Sequence, residues 1–501
     1  MKILFYNWVD YQDAENRGGG VSIYQCNVMA ALQGRVDVDV SFLSAGLSYD
    51  LPAKQPRWEA LRHGKNAGKP QHFDIVNSGV LAPAHHSFGD TAQVEHAATQ
   101  AVFMDFIEKT GSYDVVHFNN LEGVPASVLA LKERWPETKV VFSLHNYYPF
   151  CPQVNLWHKE TETCEDFAEG TKCVNCLTGG HDAHHLRLAN GLAYSLKRRG
   201  LEPGSWAFQF LFVWTMRFGR RAVGLLKRAK KLLRSGSKAG GANASSLPQS
   251  EAGFAVRRQT MVDTINQNCD LVLCVSDAVR DLAVHYGLQP SKCATSYIGT
   301  RQADAFATTQ PRDAILRQDG TFALGYLGYM RRDKGFLFLL EALESLPEDL
   351  AKRLRFVAAA RSDDEAMAAR LHNLAPKLAE LTHKDGYSHD DLDALCAEVD
   401  VGVVPVLWHD NLPQVAIELH SRHIPLLTSD MGGAKELANS PDMTFAAGDI
   451  AAFHARIAAI LNNGVDLDAY WAAARAPTTM DVHITELLEH YSNEPMAQTA
   501  S

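Results

Sequence analysis

The chain has 501 residues, of which 46% are hydrophobic and 21% charged, and its formal net charge is −10. These values are typical of a globular protein with more than one domain and argue against a general nucleic-acid-binding protein. No apolar run reaches the roughly 18–20 residues of a membrane-spanning helix, and we expect neither a signal peptide nor a secreted disulfide scaffold. The composition therefore predicts a cytoplasmic protein.

Short apolar runs alternate with helical patterns in the first half of the chain. The run "KILFYNW" predicts a strand, and "GGGVSIYQCNVMAALQG" predicts a helix that opens at glycines. Further strands are predicted at "VDVDVSFLS", "DVVHFNN", "TKVVFSLHNY" and "CDLVLCV". Because glycines at a helix start let backbone N–H groups approach a phosphate, Gly19 and Gly20 are candidate ligand-binding residues. A plain turn is the alternative, and the pattern is not the dinucleotide-binding fingerprint.

A basic segment interrupts this alternation. Residues 184–240 contain 13 Lys or Arg and a single acidic residue, Glu202. Within them, "SWAFQFLFVWTM" is too short to span a bilayer and is followed by "RFGRRAVGLLKRAKKLLRS". Apolar bulk beside Lys and Arg predicts a helix that lies on an anionic membrane surface. The alternative is a helical excursion that packs on its own domain with a solvated basic face.

Four cysteines lie close together just before this segment. They are Cys151, Cys164, Cys173 and Cys176. A Cys-x2-Cys pair with two further cysteines nearby is consistent with a structural zinc site, which would order a loop. The alternative is a set of buried thiols or one disulfide.

The second half contains another series of strands and helices, starting at "FALGYLGYMRRDKGFLFLLEALESL" and continuing through "RLRFVAAA", "VDVGVVPVL" and "IPLLTSD". Two such series predict two doubly wound α/β domains. Arg331, Arg332 and Lys334 directly follow the first strand of the second series, where three cations suit a diphosphate. A solvated basic loop is the alternative. His145 also follows a strand and is a candidate to hydrogen-bond a substrate, although a lone histidine there is more often structural.

Two carboxylates stand eight residues apart in "LWHDNLPQVAIELHSRHIPLLTSDMGGAKEL". Asp410 and Glu418 would meet one polar ligand from the same side if a short helix separates them. The alternative is an N-cap followed by a solvated helix position. A Gly-rich turn, "DMGG", follows the next apolar run.

Several pieces of the chain, in order, resemble the retaining glycosyltransferases of the GT-B fold, in particular glycosyltransferase family 4. These pieces are the glycine loop, the histidine after "VVFSL", "CVSDAVRD", "YIGT", "LGYMRRDKG", "DGYSHDDL", "VGVVPVLWHDNLPQVAIE" and "SDMGGAKEL". The resemblance implies an α/β protein with two doubly wound, Rossmann-like domains facing across a cleft. We expect an acceptor-side domain at 1–183, a basic insertion at 184–258, the rest of the first domain and a linker at 259–312, and a nucleotide-sugar-binding domain at 313–501. A C-terminal helix is expected to cross back.

The resemblance also implies roles for residues. Asp410 would address the donor sugar, Glu418 the ribose, and His145 the sugar near the reacting centre. The nucleobase would lie at Gly386 and Tyr387. The remaining donor-binding candidates are Gly19, Gly20, Arg331, Arg332, Lys334 and the turn Asn411, Leu412 and Pro413.

Three positions depart from the family pattern. The first acid is Asp410 instead of Glu, the turn reads Asn-Leu-Pro instead of Gly-Phe-Gly, and Tyr329 stands where the family carries Arg. The shorter acid leaves the donor sugar open, and the phosphate-binding arginine becomes Arg331 or Arg332.

The implied function is transfer of a hexose-type sugar, with retained configuration, from a nucleoside-diphosphate sugar to a glycan or lipid-linked acceptor. The resemblance implies no obligatory catalytic metal, and cell-surface polysaccharide synthesis at the inner face of the membrane is the expected setting. Other readings are a GT-B phosphorylase or epimerase, a non-catalytic nucleotide- or glycan-binding protein, and a membrane adaptor.

Overall fold

The computed structural model describes residues 1–177, 182–217, 250–361 and 364–492. The predictions that concern residues 218–249 lie outside this part of the chain. The strands are β1 Lys2–Tyr6, β2 Asp39–Ala45, β3 Arg57–Ala60, β4 His72–Val76, β5 Val115–Phe118, β6 Lys139–Leu144, β7 Trp157–His158, β8 Glu162–Thr163, β9 Leu271–Cys274, β10 Cys293–Thr295, β11 Phe322–Tyr329, β12 Leu354–Arg361, β13 Glu380–Lys384, β14 Val401–Val404, β15 Leu426–Ser429 and β16 Thr444–Phe445.

Helices follow most of the strands. They are α1 Gly19–Leu32, α2 Ala97–Thr110, α3 Leu131–Arg134, α4 Thr171–Val174, α5 Ala183–Lys197, α6 at residues 206–217, α7 Glu251–Asn268, α8 Asp277–His285, α9 Phe336–Ser345, α10 Glu348–Ala351, α11 Glu365–His372, α12 Leu392–Ala397, α13 Gln414–His420, α14 Ala434–Ala438, α15 Ile450–Leu461, α16 Leu467–Ala473 and α17 Met480–Tyr491. The expected N-cap of α8 is confirmed, since the side chain of Ser276 accepts a hydrogen bond from the N–H of Val279.

The first sheet has eight strands in the order β10-β9-β6-β5-β1-β2-β4-β3. The pairings of β1 with β2 and β5, of β2 with β4, and of β5 with β6 are parallel, whereas β3 is antiparallel to β4. Central strands such as β1 and β5 are buried along almost their whole length. Strands covered on both faces read as continuous apolar runs, which is why the sequence predicts them well.

The second sheet has six strands in the order β13-β12-β11-β14-β15-β16, and every pairing is parallel. This is the doubly wound order. The chain adds β12 and β13 on one side of β11 and then β14, β15 and β16 on the other, so the strand order reverses between β11 and β14. Ligands of such sheets bind outside the carboxyl ends of the strands at this switch point. The fold therefore directs attention to the loops after β11 and β14.

The chain divides into two compact units. The first comprises residues 1–143, 147–154 and 166–272, and the second comprises 144–146, 155–165 and 273–501. This division differs from the domain ranges expected from the sequence, where the second domain begins at 313, and it places α17 in the second unit. The domain ranges expected from the sequence therefore stay a prediction.

In the described parts of the chain, no helix combines the length and the apolar character needed to cross a bilayer.

The histidine His420 links the stability of the second unit to pH. Burial lowers the pKa of its imidazole from 6.5 to about 4. Its Nε2 bonds to the carbonyl of Arg475 at 3.0 Å, while its buried Nδ1 has no hydrogen-bond partner among the described residues. The unfolded chain would therefore take up the proton first as the pH falls. The stability from neutral His420 is complete above about pH 6.5 and is lost as the pH falls towards 4.

We expect the unfolding free energy to fall by about 2 kcal/mol from pH 7 to pH 5 through the protonation of His420 alone. Urea unfolding of the wild type and of His420→Gln at both pH values measures this, and His420→Gln should show a smaller loss by that amount. His185→Gln, at an exposed position, is the control and should lose as much as the wild type. Equal pH dependence in all three proteins would contradict the prediction.

Candidate functional site

Lys334 and Asp410 meet at the switch point of the second sheet. Lys334 lies in the loop after β11, and Asp410 lies in the loop after β14. The Nζ of Lys334 is 2.7 Å from Oδ2 of Asp410, and it lies 5.5 Å from the centre of the Trp408 ring. Asp410 is buried, whereas the Lys334 side chain is 34% exposed. A cation and a carboxylate are thus paired where a doubly wound sheet binds its ligand.

Glycines allow the neighbouring loops to approach this pair closely. Gly335, with φ of 73°, leaves room for the carbonyl of Pro405, since a Cβ at this position would lie 1.7 Å from that oxygen. The second of these close approaches involves Gly432, where φ is 69° and a Cβ would lie 2.0 Å from the carbonyl oxygen of Asp410. Only glycine fits such positions. The glycine at position 432 therefore lets the Gly-rich turn pack directly against the backbone that carries Asp410.

Glu418 lies inside α13 and is buried. The hydroxyl of Tyr387 donates to Oε2 of Glu418 at 2.9 Å, and Nε2 of His389 lies 3.3 Å from Oε1. The hydrogen bond from His389 to this carboxylate raises the histidine pKa, and burial followed by the nearby Glu418 charge raises the pKa of Tyr387. The carboxylate is therefore held by two donors on one side of the site.

The alternative interpretation of the two carboxylates, an N-cap and a solvated helix position, is wrong. The residue at the N-cap of α13 is Pro413 and not Asp410, and the Glu418 side chain is 5% exposed. A buried carboxylate needs partners that compensate its lost hydration. Asp410 has Lys334, and Glu418 has Tyr387 and His389.

The turn between the two carboxylates brings His145 to the same region. The Oγ of Ser276 donates to the carbonyl of Asn411 at 2.8 Å, and the amide of Asn411 lies 3.5 Å from the carbonyl of Leu144. Within the described chain, no residue accepts a hydrogen bond from the backbone N–H of Asn411 or Leu412. The turn thus offers two N–H groups beside His145.

His145 is uncharged at neutral pH. Burial, and to a smaller extent the neighbouring His483, lower the pKa of its imidazole from 6.5 to about 3. A neutral imidazole can donate one hydrogen bond and accept another, but it cannot supply a positive charge. The role of His145 in a reaction would therefore be to hydrogen-bond a hydroxyl.

Part of the chain matches a family model. Residues 321–463, which carry the second sheet and both carboxylates, match the model described as "Glycosyl transferases group 1". No curated protein matches the chain.

Solved structures match along the whole chain at low identity. HepE of Anabaena, solved in complex with UDP, has a TM-score of 0.52 and 14% identity and covers 99% of this chain and 100% of its own. The UDP-forming α,α-trehalose-phosphate synthase of Burkholderia vietnamiensis has a TM-score of 0.50 and 13% identity, covering 98% and 99%. The N-terminal domain of trehalose-6-phosphate phosphatase of Candida albicans reaches 0.53 at 10% identity, covering 98% and 97%.

The chain has the GT-B fold. The expected α/β fold is thereby confirmed, because the whole-chain likenesses carry the GT-B architecture. The second sheet lies in the part of the chain, residues 321–463, that matches the group 1 glycosyltransferases.

The two candidate arginines after β11 differ in their surroundings. The guanidinium of Arg331 bonds both carboxylate oxygens of Asp333, at 2.9 and 3.0 Å. Arg332 is exposed, and no described residue forms an ion pair with it. Arg332 therefore has its charge available for a ligand, whereas Arg331 is already committed.

Sequence reasoning missed Arg361. It ends β12, directly opposite Tyr329 at the end of β11, and both side chains are exposed. A Cβ at Gly386, where φ is 80°, would lie 3.2 Å from Nε of Arg361. The feature of the sequence that could have identified Arg361 is a cationic residue at the last position of a buried parallel strand. This arginine lies between the position where the family carries its own arginine and the candidate nucleobase residues.

Two other sets of candidate residues come from the first half of the sequence. Gly19 and Gly20 begin α1 in the first compact unit, as the glycine run predicts, and both are exposed. No group of three or more His, Cys, Asp or Glu in the described chain is arranged to hold a metal, and this includes Cys151, Cys164, Cys173 and Cys176. The zinc site therefore stays a prediction without support from the structure.

Proposed function

We propose that this protein is a glycosyltransferase that binds a nucleoside-diphosphate sugar at the carboxyl edge of its second sheet and transfers the sugar with retained configuration. The observation that carries the proposal is the Lys334–Asp410 pair at the switch point, with Glu418 eight residues further on. A cation for phosphate and two carboxylates for hydroxyl groups are the side chains that a nucleotide sugar needs. The chemistry of the pair thus supports the assignment to glycosyltransferase family 4.

Each candidate residue has a proposed role. Lys334 and Arg332 bind the diphosphate, with the N–H groups of Asn411 and Leu412, and Asp410 binds hydroxyls of the donor sugar. The ribose is bound by Glu418, whose Tyr387 and His389 partners orient the carboxylate. The remaining assignments are Gly386 and Tyr387 for the base, Arg331 for additional positive charge beside the diphosphate, and Pro413 for the shape of the turn. Gly19 and Gly20 stay proposed as phosphate-binding residues.

The departing diphosphate carries most of the charge that develops during transfer. Fixed cations stabilise such charge without reorganisation at the moment of reaction. We therefore propose that Lys334 and Arg332 stabilise the leaving group in a reaction with no obligatory metal, while neutral His145 hydrogen-bonds the sugar near the reacting carbon. The UDP complex of HepE favours uridine as the base, and a hexose-type donor belongs to the same proposal.

The acceptor is proposed from less direct observations. A glycan, carried on a lipid at the inner face of the cytoplasmic membrane, would suit the basic segment 184–240 and a place in cell-surface polysaccharide synthesis. Peripheral association and a cytoplasmic location belong to the same proposal. They are separable from the donor site, which stands on the second sheet alone.

A ligand panel tests the donor proposal. Binding to the native state raises the melting temperature, with about 2.7 kcal/mol of stabilisation at a hundredfold excess over Kd. We expect one nucleoside diphosphate and its sugar to raise it. Slow hydrolysis of that nucleotide sugar, with water in place of the acceptor, should then release the diphosphate and the free sugar. Binding without release would favour the non-catalytic alternative, and no shift with any nucleotide would overturn the proposal.

The two arginines give a matched pair of variants. Because Arg331 is bonded to Asp333 and Arg332 is not, Arg332→Ala should raise the Kd for the nucleoside diphosphate about tenfold or more, as expected for one charge-assisted hydrogen bond. Arg331→Ala should change it less than threefold or so on the same reasoning. Isothermal titration with the nucleotide found in the panel measures both. A larger effect of Arg331→Ala would exchange the two roles.

A further inference from the structure

The helix α6 exposes an aromatic face to solvent. Trp206, Phe210, Val213 and Trp214 share one side of the helix, because their spacings of four, three and one residues keep them within a quarter-turn or so of one another. They are 79%, 51%, 50% and 51% exposed. On the opposite side, Phe208 is buried. The helix is therefore anchored by one face and presents a second apolar face outward.

This concentration of exposed apolar surface is local. Fourteen large hydrophobic residues are exposed in the described chain, and five of them (Trp206, Phe210, Leu211, Val213 and Trp214) fall within nine consecutive residues. Scattered exposed hydrophobic residues need no explanation, whereas a contiguous patch indicates a surface that something covers. The patch lies outside the region that matches the glycosyltransferase model, which begins at residue 321.

The preceding helix fixes the patch to the first unit. From α5, Arg187 donates to the carbonyl of Gly79 at 2.9 Å, and Lys197 pairs with Glu15 at 2.7 Å. The hydroxyl of Tyr194, also on α5, bonds the carboxylate of Glu59. With α5 held at both ends, α6 is attached to a rigid support through the short connection that follows.

The charge around the patch identifies what covers it. Arg198 and Arg199, which directly follow α5, and Arg217, within α6, are exposed, and residues 184–240 carry 13 Lys or Arg against one acidic residue in a chain whose net charge is −10. Tryptophan favours the boundary between lipid headgroups and acyl chains, and Lys and Arg are attracted to anionic headgroups. Tryptophan is also frequent at protein interfaces, so the strongly one-sided charge of residues 184–240 decides for anionic headgroups.

We propose that the outward face of α6 binds an anionic membrane surface, with Trp206, Phe210 and Trp214 inserted among the headgroups and the flanking arginines over them. A helix with this composition lies in the interface and does not cross it. The proposal goes beyond sugar transfer and does not depend on it. If both hold, the enzyme works at the surface where a lipid-linked acceptor is found.

Vesicle sedimentation tests the proposal with the full-length protein. Vesicles of phosphatidylcholine with 30% phosphatidylglycerol are compared with pure phosphatidylcholine, at low and high salt. The test protein carries Trp206→Ser, Phe210→Ser and Trp214→Ser together. A matched control carries Val36→Ser, Val256→Ser and Val482→Ser, which remove three hydrophobic side chains at other exposed positions (104%, 63% and 50% exposed). Melting temperatures and light scattering establish that all proteins fold and report their oligomeric state.

We expect the wild type and the matched control to bind the anionic vesicles, and the triple α6 variant to bind them at least about tenfold more weakly. Binding should weaken at high salt, because the headgroup attraction is screened. Undiminished binding by the folded triple variant would overturn the proposal. A wild-type dimer that this variant converts to a monomer, with no vesicle binding by either, would also overturn it and assign the face to a second copy of the chain.

Discussion

Glu418→Gln is expected to raise the Kd for the preferred nucleoside diphosphate about a hundredfold, with little change in fold. Two hydrogen bonds from ribose hydroxyls to a carboxylate would each contribute about 1.5–3 kcal/mol, and the neutral amide keeps the shape but loses the charge and one acceptor. The substitution also leaves Tyr387 and His389 without the carboxylate that they now bond. Any loss of stability without nucleotide measures that second effect.

Thermal shift and titration calorimetry on both proteins separate the two effects. Glu344→Gln is the matched control, because Glu344 is also held by an ion pair, with Arg370, but lies on the exposed side of α9. The control should bind nucleotide as the wild type does. Wild-type affinity in Glu418→Gln would remove Glu418 from the ribose and leave it a structural role, even if the nucleotide panel itself had succeeded.

The sequence predicted the central strands of both sheets and missed the edges. Strands β11, β12, β14 and β15 lie within the predicted runs because buried parallel strands are apolar throughout. The edge strands β3, β10, β13 and β16 were not predicted, since they are short or covered on one side, and β13 reads "ELTHK". The strand β4 was missed as well, because His72 and Asp74 interrupt its apolar run.

The candidate site was predictable where position along a strand determines it. Lys334 and Asp410 follow β11 and β14, and these strands are neighbours at the switch point, so their meeting follows from topology. The choice between Arg331 and Arg332 was not predictable, because it depends on the side-chain conformation that lets Arg331 bond Asp333. The charge state of His145 was not predictable for a similar reason, since it depends on burial and on His483 of α17.

The outward face of α6 required the structure for a different reason. The sequence shows that residues 205–216 are almost entirely apolar or aromatic, which is equally consistent with a buried helix. Only the structure distinguishes Phe208, which is buried, from Trp206, Phe210 and Trp214, which are exposed. Hydrophobic pattern gives the helix, and tertiary packing decides which side is covered.

Removal of the cation at the switch point should impair both stability and activity, and a double variant can separate the two. In Lys334→Met, the buried Asp410 carboxylate loses its partner at 2.7 Å, which should cost about 1–3 kcal/mol, because Lys334 is one-third exposed and solvent screens part of the pair. The loss of a cation that stabilises the leaving diphosphate should lower the rate of diphosphate release about a hundredfold or more.

Lys334→Met combined with Asp410→Asn removes both charges and should recover most of the lost stability in urea unfolding. Activity should not return, because neither the cation for the diphosphate nor the carboxylate for the sugar is then present. If the double variant recovers activity together with stability, the pair is structural and the diphosphate binds elsewhere. If Lys334→Met alone is as stable as the wild type, the two residues do not form the pair in solution. Recovery of stability without activity is the combination that only a functional ion pair produces, since one set of atoms then stabilises the empty enzyme and binds the substrate.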